Sequence, residues 1–230
     1  VPYLIGNLGD TCPLKWDNPR ASFKDTGIPT SPGLEAANAL AKIGKAAIVP
    51  LTTALEDKNQ MVRRNAAVAL EKMGEPAAPA LIAALKSEDV FIRKTGVNGL
   101  VKIELPTVVN PLITCLNDKD YEIRREAVTA LRKIRDKRAV QPLIQALINV
   151  ESGVQREAGE ALKQIEDPQA RDALEEALLH KNAEVRCGAI LALSGGYSKD
   201  NPGIIMPYVK DQHPSVRAEA ARVLGSHLKG

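Results

Sequence analysis

The chain has 230 residues, of which 26% are charged and 3% aromatic, and its formal net charge is +3. A net charge this small does not itself indicate nucleic acid or a membrane as partner, so only uneven placement of the charges could. No apolar run approaches the roughly 18 residues that a membrane span needs, and no secretory leader pattern opens the chain. The odd number of cysteines, three, does not fit a disulfide framework and favours a reducing, cytoplasmic compartment.

A pattern of about 31 residues repeats along the chain, and DKDYEIRREAVTALRKI (118–134) shows it most clearly. One leucine of the pattern recurs every 30 or 31 residues, at Leu70, Leu100, Leu131, Leu162, Leu193 and Leu224. Such a period is typical of a solenoid, in which each repeat buries its apolar face against its neighbours. We therefore predict one continuous array over residues 1–230, which could be a fragment or a processed form.

Each repeat begins with a short predicted helix, helix A. Residues 1–8 resemble later segments such as PLTTAL (50–55) and QPLIQAL (141–147), with a proline in the first turn and apolar residues four apart on one face. The last copy, PGIIMPYV (202–209), contains Pro207, which should kink the helix or end it early.

Residues 9–33 interrupt the register as an insertion rich in proline and glycine. The insertion contains Trp16, the only tryptophan, together with Phe23. It is interpreted either as a cap over the first apolar layer or as a binding loop on a rigid scaffold, and the cap is favoured.

The second predicted helix of each repeat, helix B, carries the apolar stripe. In the 118–134 copy the stripe consists of Ile123, Ala127, Ala130, Leu131 and Ile134. The small alanines suit a close approach between helices. Gly44 and Gly74 follow the first two stripes and are predicted to end those helices in the left-handed conformation.

These features together resemble the HEAT-repeat family. The resemblance rests on the proline and leucine pair of helix A, an Asp just after it, Val/Ile-Arg about six residues on, and then A-x-x-A-L. In particular, the pattern is similar to the short-repeat, phycobilisome-lyase HEAT-like proteins. The resemblance implies an all-α, right-handed α-solenoid of antiparallel helix pairs, with helix A on the convex side and helix B on the concave side. Members of the family are mostly protein-binding scaffolds, although some bind nucleic acid and some are bilin lyases or accessory subunits.

One series of charged residues is interpreted as structural. An acidic and a basic residue lie six apart in three repeats: Asp57/Arg63, Asp118/Arg124 and Asp211/Arg217. In family members such residues form an inter-repeat ladder, and here both partners become neutral together in the fourth repeat, as Asn149 and Gln155. We therefore assign the arginines of this series to structure: Arg63, Arg93, Arg124, Arg186 and Arg217.

A second series lies on the opposite side of helix B, one residue further on, and is called here the basic row. It comprises Arg64, Lys72, Lys94, Lys102, Arg125, Thr129, Arg132, Lys133, Arg156 and Lys163. The row is either an ordinary solvated face or a groove whose common field attracts an acidic partner. We favour an acidic polypeptide segment, with help from Trp16 and Phe23, over nucleic acid, because the row lacks stacking aromatic residues.

No nucleotide-binding, hydrolase or paired-cysteine motif occurs in the chain. His180, His213 and His227 are isolated from Glu, so the iron site of the deoxyhypusine hydroxylase group of this fold is not expected. Cys187 falls at an outward position of helix B, either as an exposed thiol or as a neutral surface substitution. The sequence thus predicts a non-enzymatic protein-binding scaffold without cofactor; the alternatives are nucleic-acid binding through the same row and a bilin-lyase-like or accessory activity.

Overall fold

The computed structural model describes residues 1–10, 32–103, 106–149, 153–194 and 202–227. All regular structure in these ranges is helical, which confirms the predicted all-α class. The helices A are α1 (Pro2–Gly6), α3 (Ile48–Ala54), α5 (Ala78–Ala84), α7 (Val109–Cys115), α9 (Val140–Ile148) and α11 (Arg171–Ala177). The helices B are α2 (Pro32–Ile43), α4 (Gln60–Met73), α6 (Val90–Val101), α8 (Tyr121–Ile134), α10 (Gln155–Ile165), α12 (Ala183–Leu193) and α13 (Pro214–His227).

The chain forms two compact units, Val1–Ile103 and Glu104–Gly230. Within each unit successive helices B pack side by side, α2 with α4 and α4 with α6 in the first, and α8 with α10, α10 with α12 and α12 with α13 in the second. Most of the predicted insertion, including Trp16 and Phe23, lies outside the described residues.

Proline occurs in the first turn of helices A such as α1 and α5. Pro79 occupies the first turn of α5, where its missing N–H costs no hydrogen bond. At the final repeat the segment holding Pro207 forms only two 3-10 turns, Pro202–Ile204 and Met206–Lys210, in place of an α-helix. The prediction that Pro207 would cut this helix short is therefore confirmed.

Side-chain caps start four of the helices B, whereas α10 follows Val154 and has no such cap. Asn59, Asp89, Asp120 and Asn182 each accept the backbone N–H two residues further on. The predicted stripe then follows: in α8 the side chains of Ile123, Ala127, Ala130 and Leu131 are fully buried, while Ile134 is half-buried. Local capping and the helical apolar period thus point to the same element.

The residue that ends a helix B with positive φ is a glycine at α4 and a residue with a side chain at α8 and α10. Gly74 ends α4 with φ 67° and ψ −136°, so the predicted positive φ is present but the residue is not in the left-handed helical region. The corresponding ends of α8 and α10 carry Arg135 and Glu166, which do adopt that region at φ 56° and 51°. A residue with a Cβ atom is strained there.

Replacing Arg135 with glycine should therefore stabilise the protein, by up to about 1 kcal/mol, because glycine adopts positive φ without the Cβ clash. Arg135→Ala is the matched control, since it removes the same side chain but keeps the Cβ atom. Urea unfolding of both variants measures the difference. A midpoint for Arg135→Gly no higher than that for Arg135→Ala would show that the left-handed conformation carries no strain.

Helices α10 and α12 approach each other more closely than side chains would allow. A Cβ atom at Gly159 would lie 2.2 Å from the carbonyl oxygen of Gly188, and one at Gly188 would lie 2.5 Å from that of Gln155. The two glycines therefore set the distance between these helices.

Candidate binding face on the helices B

The structural series of arginines binds the main chain of the turn that joins helix A to helix B. The Arg63 guanidinium donates to the carbonyl oxygens of Asp57 and Lys58 at 2.8 and 3.0 Å. The same pair of bonds is made by Arg93, Arg124, Arg186 and Arg217 in their own repeats. In the fourth repeat the amide of Gln155 donates to the carbonyl oxygen of Asn149 at 2.8 Å, which explains why a neutral residue serves there.

The acidic member of each six-residue pair has a different function from the one its spacing suggests. Its carboxylate accepts the backbone N–H two residues on, as in Asp57, Asp118 and Asp211. Ser87 and His180 accept the same N–H through Oγ and Nδ1. Asp, Ser and His side chains all accept this N–H, so the turn does not require the aspartate in the repeats that keep the arginine.

One inter-repeat rung is a buried bidentate ion pair. Arg186 Nε and Nη2 donate to the two carboxylate oxygens of Asp211 at 2.9 and 2.7 Å, with the side chains only 6% and 9% exposed. Burial opposes ionisation of Asp211, but hydrogen bonds from Arg186 and from the N–H of His213 outweigh it and hold its pKa below the ordinary value. Asp211 therefore remains charged and locks the last two repeats together.

In the first unit, Arg64 and Lys102 of the basic row are engaged with carboxylates. Arg64 binds both oxygens of Asp89 at 2.8 and 3.2 Å and lies 5.2 Å from the ring centroid of Phe91. Lys102 Nζ lies 2.8 Å from Glu71. Lys72 instead donates to the side-chain oxygen of Asn38.

Asp89 connects α6 to α4 through its bonds with Arg64, and this role was not predicted from the sequence. Burial raises its pKa, but hydrogen bonds from Arg64, Gln60 and the N–H of Phe91 outweigh burial and lower the net pKa. The sequence signal available was its position as the N-cap residue of α6, where a carboxylate accepts a backbone N–H.

In the second unit the three arginines of the row, Arg125, Arg132 and Arg156, are also paired with carboxylates. Arg125 lies 2.8 Å from Glu122, and Arg132 lies 3.1 Å from Glu160 on the next helix B. Thr129 and Lys163 are half-buried and Lys133 is exposed. The row is therefore much less positive than its count of basic residues predicts.

Arg156 extends from α10 to α13 and donates to Glu219 at 2.7 Å. Glu219 is only 4% exposed and also accepts from Arg222. Cys187 lies close enough to Arg156 and Glu219 to feel their charges, and its exposed fraction is 0%, so both surface interpretations of this cysteine are wrong. Burial raises the pKa of its thiol, and its Sγ lies 3.5 Å from Ser215 Oγ. Cys187 directly precedes Gly188, whose backbone lies against α10, and the repeat register alone could not reveal that this thiol is buried.

Four lysines on the helices B have no carboxylate within ion-pair distance among the described residues: Lys42, Lys72, Lys133 and Lys163. Lys42 is not part of the predicted row. It lies two residues after Leu40, as Lys72 lies two residues after Leu70, so the same register would have found it. The side chains still available to a partner are thus mainly lysines rather than arginines.

No group of three or more His, Cys, Asp or Glu side chains converges to hold a metal ion in the part of the chain that the structure describes. Among the helices of that part, none is both long and apolar enough to cross a membrane.

The antiparallel helix pairs and their 31-residue period define an α-solenoid. The family model for HEAT repeats matches three overlapping stretches, residues 34–97, 78–153 and 143–202, which together span most of the chain. The chain belongs to the HEAT-repeat family. This solenoid is a scaffold fold typical of protein-interaction proteins.

Solved structures agree with this fold. The chain is similar to importin beta, with a TM-score of 0.64 and 15% identity over 83% of this chain and 31% of that one. It is also similar to a mutant of Kap121p, with a TM-score of 0.63 and 14% identity over 99% of this chain and 29% of that one. The chain therefore spans about a third of each of these proteins, and likeness at this identity shows the fold alone. No curated protein sequence matches the chain.

Proposed function

We propose that this protein is a non-enzymatic scaffold that binds an acidic polypeptide segment through the exposed faces of its helices B. The observation that supports the proposal most directly is the set of lysines left without carboxylates, Lys42, Lys72, Lys133 and Lys163, on a face whose other charges are compensated. An exposed ammonium group attracts an anionic segment without having to give up an internal partner.

A polypeptide is favoured over nucleic acid as the partner. A protein that tracks a nucleic-acid backbone needs many uncompensated cations and usually aromatic stacking platforms. The row's arginines are paired, and two exposed aromatic rings in the first turns of helices B, Phe91 and Tyr121, already lie against Arg64 and Arg124.

The proposal is tested with fluorescein-labelled octaglutamate, amidated at its C-terminus, at low salt. Wild type should bind it, and replacing both Lys133 and Lys163 with glutamate should weaken binding about tenfold, because two attractive charges become repulsive. Fluorescence anisotropy measures the affinity. Thermal unfolding should change little, since neither lysine has an ion-pair partner among the described residues.

Lys181→Glu with Lys210→Glu is the matched control, because it makes the same change in net charge at exposed lysines outside α8 and α10. An equal loss of affinity in this control would show that the weaker binding of the Lys133→Glu/Lys163→Glu variant comes from the change in net charge alone. Tighter binding of an oligonucleotide than of octaglutamate would overturn the choice of partner, and a spectral shift on tetrapyrrole addition would favour the lyase alternative.

A further inference from the structure

The first unit contains a cleft between α2 and α4 in which three of the four lining side chains are polar, and the basic row includes only part of it. It has a volume of about 420 Å³ and is lined by Asn38, Ala41, Lys42 and Lys72. Lys42 and Lys72 occupy equivalent positions in consecutive repeats, so the side-by-side packing of α2 and α4 brings two ammonium groups to one cleft. Ala41 also lines the cleft, and its side chain is a single methyl group.

Asn38 completes the cleft with hydrogen-bond donors. Its side-chain oxygen accepts from Lys72 Nζ, which orients the ammonium group and leaves the amide NH2 of Asn38 without an acceptor among the described residues. The polar side chains of the cleft therefore offer two ammonium groups and one amide NH2, with no carboxylate among them. Donors without a matching acceptor suit an anion.

Glu71, the acidic residue next to Lys72 in sequence, does not neutralise this cleft. Its Oε1 lies 2.8 Å from Lys102 Nζ, on the side of the next repeat. The charge that an approaching anion meets at the cleft is therefore that of two lysines.

We propose that this cleft is the subsite that receives a side-chain carboxylate, Asp or Glu, of the bound acidic segment. This inference rests on the proposed function and deepens it by assigning a specific anchor. A single carboxylate on exposed lysines binds weakly, so the affinity must come from several acidic residues of one segment engaged together.

The test compares wild type with Lys42→Gln/Lys72→Gln, a double variant that keeps side-chain length and polarity but removes both charges. Amidated octaglutamate should bind the variant about fivefold more weakly, because two of its ionic contacts are lost. The control Lys58→Gln/Lys86→Gln removes the same charge at exposed positions outside the cleft and should keep the wild-type affinity within about twofold. Equal affinities for the two double variants would overturn the cleft assignment.

A second readout uses the unmodified protein, so it does not depend on how a variant folds. Titration with octaglutamate should shift the side-chain amide resonances of Asn38 in nitrogen–proton correlation spectra, assigned through Asn38→Ser. Resonances that stay in place at saturation would place the peptide elsewhere and overturn the proposal.

Further measurements distinguish a failure of the proposed function from a failure of the cleft assignment. If wild type does not bind octaglutamate, both the proposed function and the cleft are overturned. If Lys133→Glu/Lys163→Glu weakens binding but Lys42→Gln/Lys72→Gln does not, only the cleft is overturned. A glycine-serine octapeptide with a free C-terminus should compete poorly; equal competition would identify a chain terminus as the ligand and overturn the side-chain assignment.

Discussion

Replacing Gly159 with alanine should lower the free energy of unfolding of the Glu104–Gly230 unit by about 3 kcal/mol, at the upper end of the usual cost of overpacking. The new Cβ atom would lie 2.2 Å from the carbonyl oxygen of Gly188 and 2.7 Å from its carbonyl carbon and Cα. All three are backbone atoms, so no rotamer change can relieve the clash. Helices α10 and α12 would have to move apart, with loss of packing along their whole contact.

Separation of these helices should also loosen the packing around Cys187, which lies next to Gly188 and is 0% exposed. The buried thiol then becomes accessible, so Gly159→Ala should react with a thiol reagent faster than wild type under native conditions. Urea unfolding followed by far-ultraviolet circular dichroism measures the stability, and the reaction rate of the thiol reports the opening.

Gly225→Ala provides the control on α13, because a Cβ atom there would meet nothing within 4 Å. This change should raise the stability by up to about 1 kcal/mol, as helix propensity alone predicts. If Gly159→Ala unfolds at the same urea concentration as Gly225→Ala, the close approach of α10 and α12 is not a constraint in solution.

Replacing Arg186 with methionine should destabilise the second unit by about 3–5 kcal/mol, because breaking a buried ion pair leaves the other charge without compensation. Methionine keeps much of the apolar stem but removes the donors to Asp211 and to the carbonyl oxygens of His180 and Lys181. Urea unfolding at neutral pH measures the loss. Arg171→Met is the control, since its pair with Glu175 is exposed and should contribute at most about 1 kcal/mol.

The pH dependence gives an independent check on this pair. The folded pKa of Asp211 lies below its ordinary value of 3.8, so its contribution is present above that value and is lost as pH falls through the lowered pKa. The stability difference between wild type and Arg186→Met should therefore shrink as the solution becomes strongly acidic. A difference that stays constant down to the lowest pH at which the chain folds would assign the loss to packing and not to charge.

Much of the repeat architecture could be predicted from local patterns. The leucine period, the proline of helix A and the Asn or Asp before helix B each specify structure over a few residues, and the described helices follow them. Within α8 the predicted stripe and its extent agree with the burial of Ile123, Ala127 and Leu131. Such features depend on backbone geometry within one repeat, so they can be predicted from a local sequence pattern.

The candidate site was only partly predictable, because its electrostatics depend on side chains that meet between repeats. The register correctly placed Arg64 and Arg132 on the outward side of helix B, but it could not show that Asp89 and Glu160 meet them. Lys42 is in the same register through Leu40, but the predicted row does not include the first repeat and therefore lacks this lysine.

By itself the sequence determined the helix pairs and their period, because each depends on residues close together in the chain. It assigned one series of arginines to structure, but the structure showed that they bind the carbonyl oxygens of the turns. Only the tertiary structure decided which basic residues remain available and which residues are enclosed. Arg156 and Glu219 are 63 residues apart and still form an ion pair, and Gly159 and Gly188 let the backbones of α10 and α12 touch. Such a distance between backbones is a property of packed helices, and no single repeat encodes it.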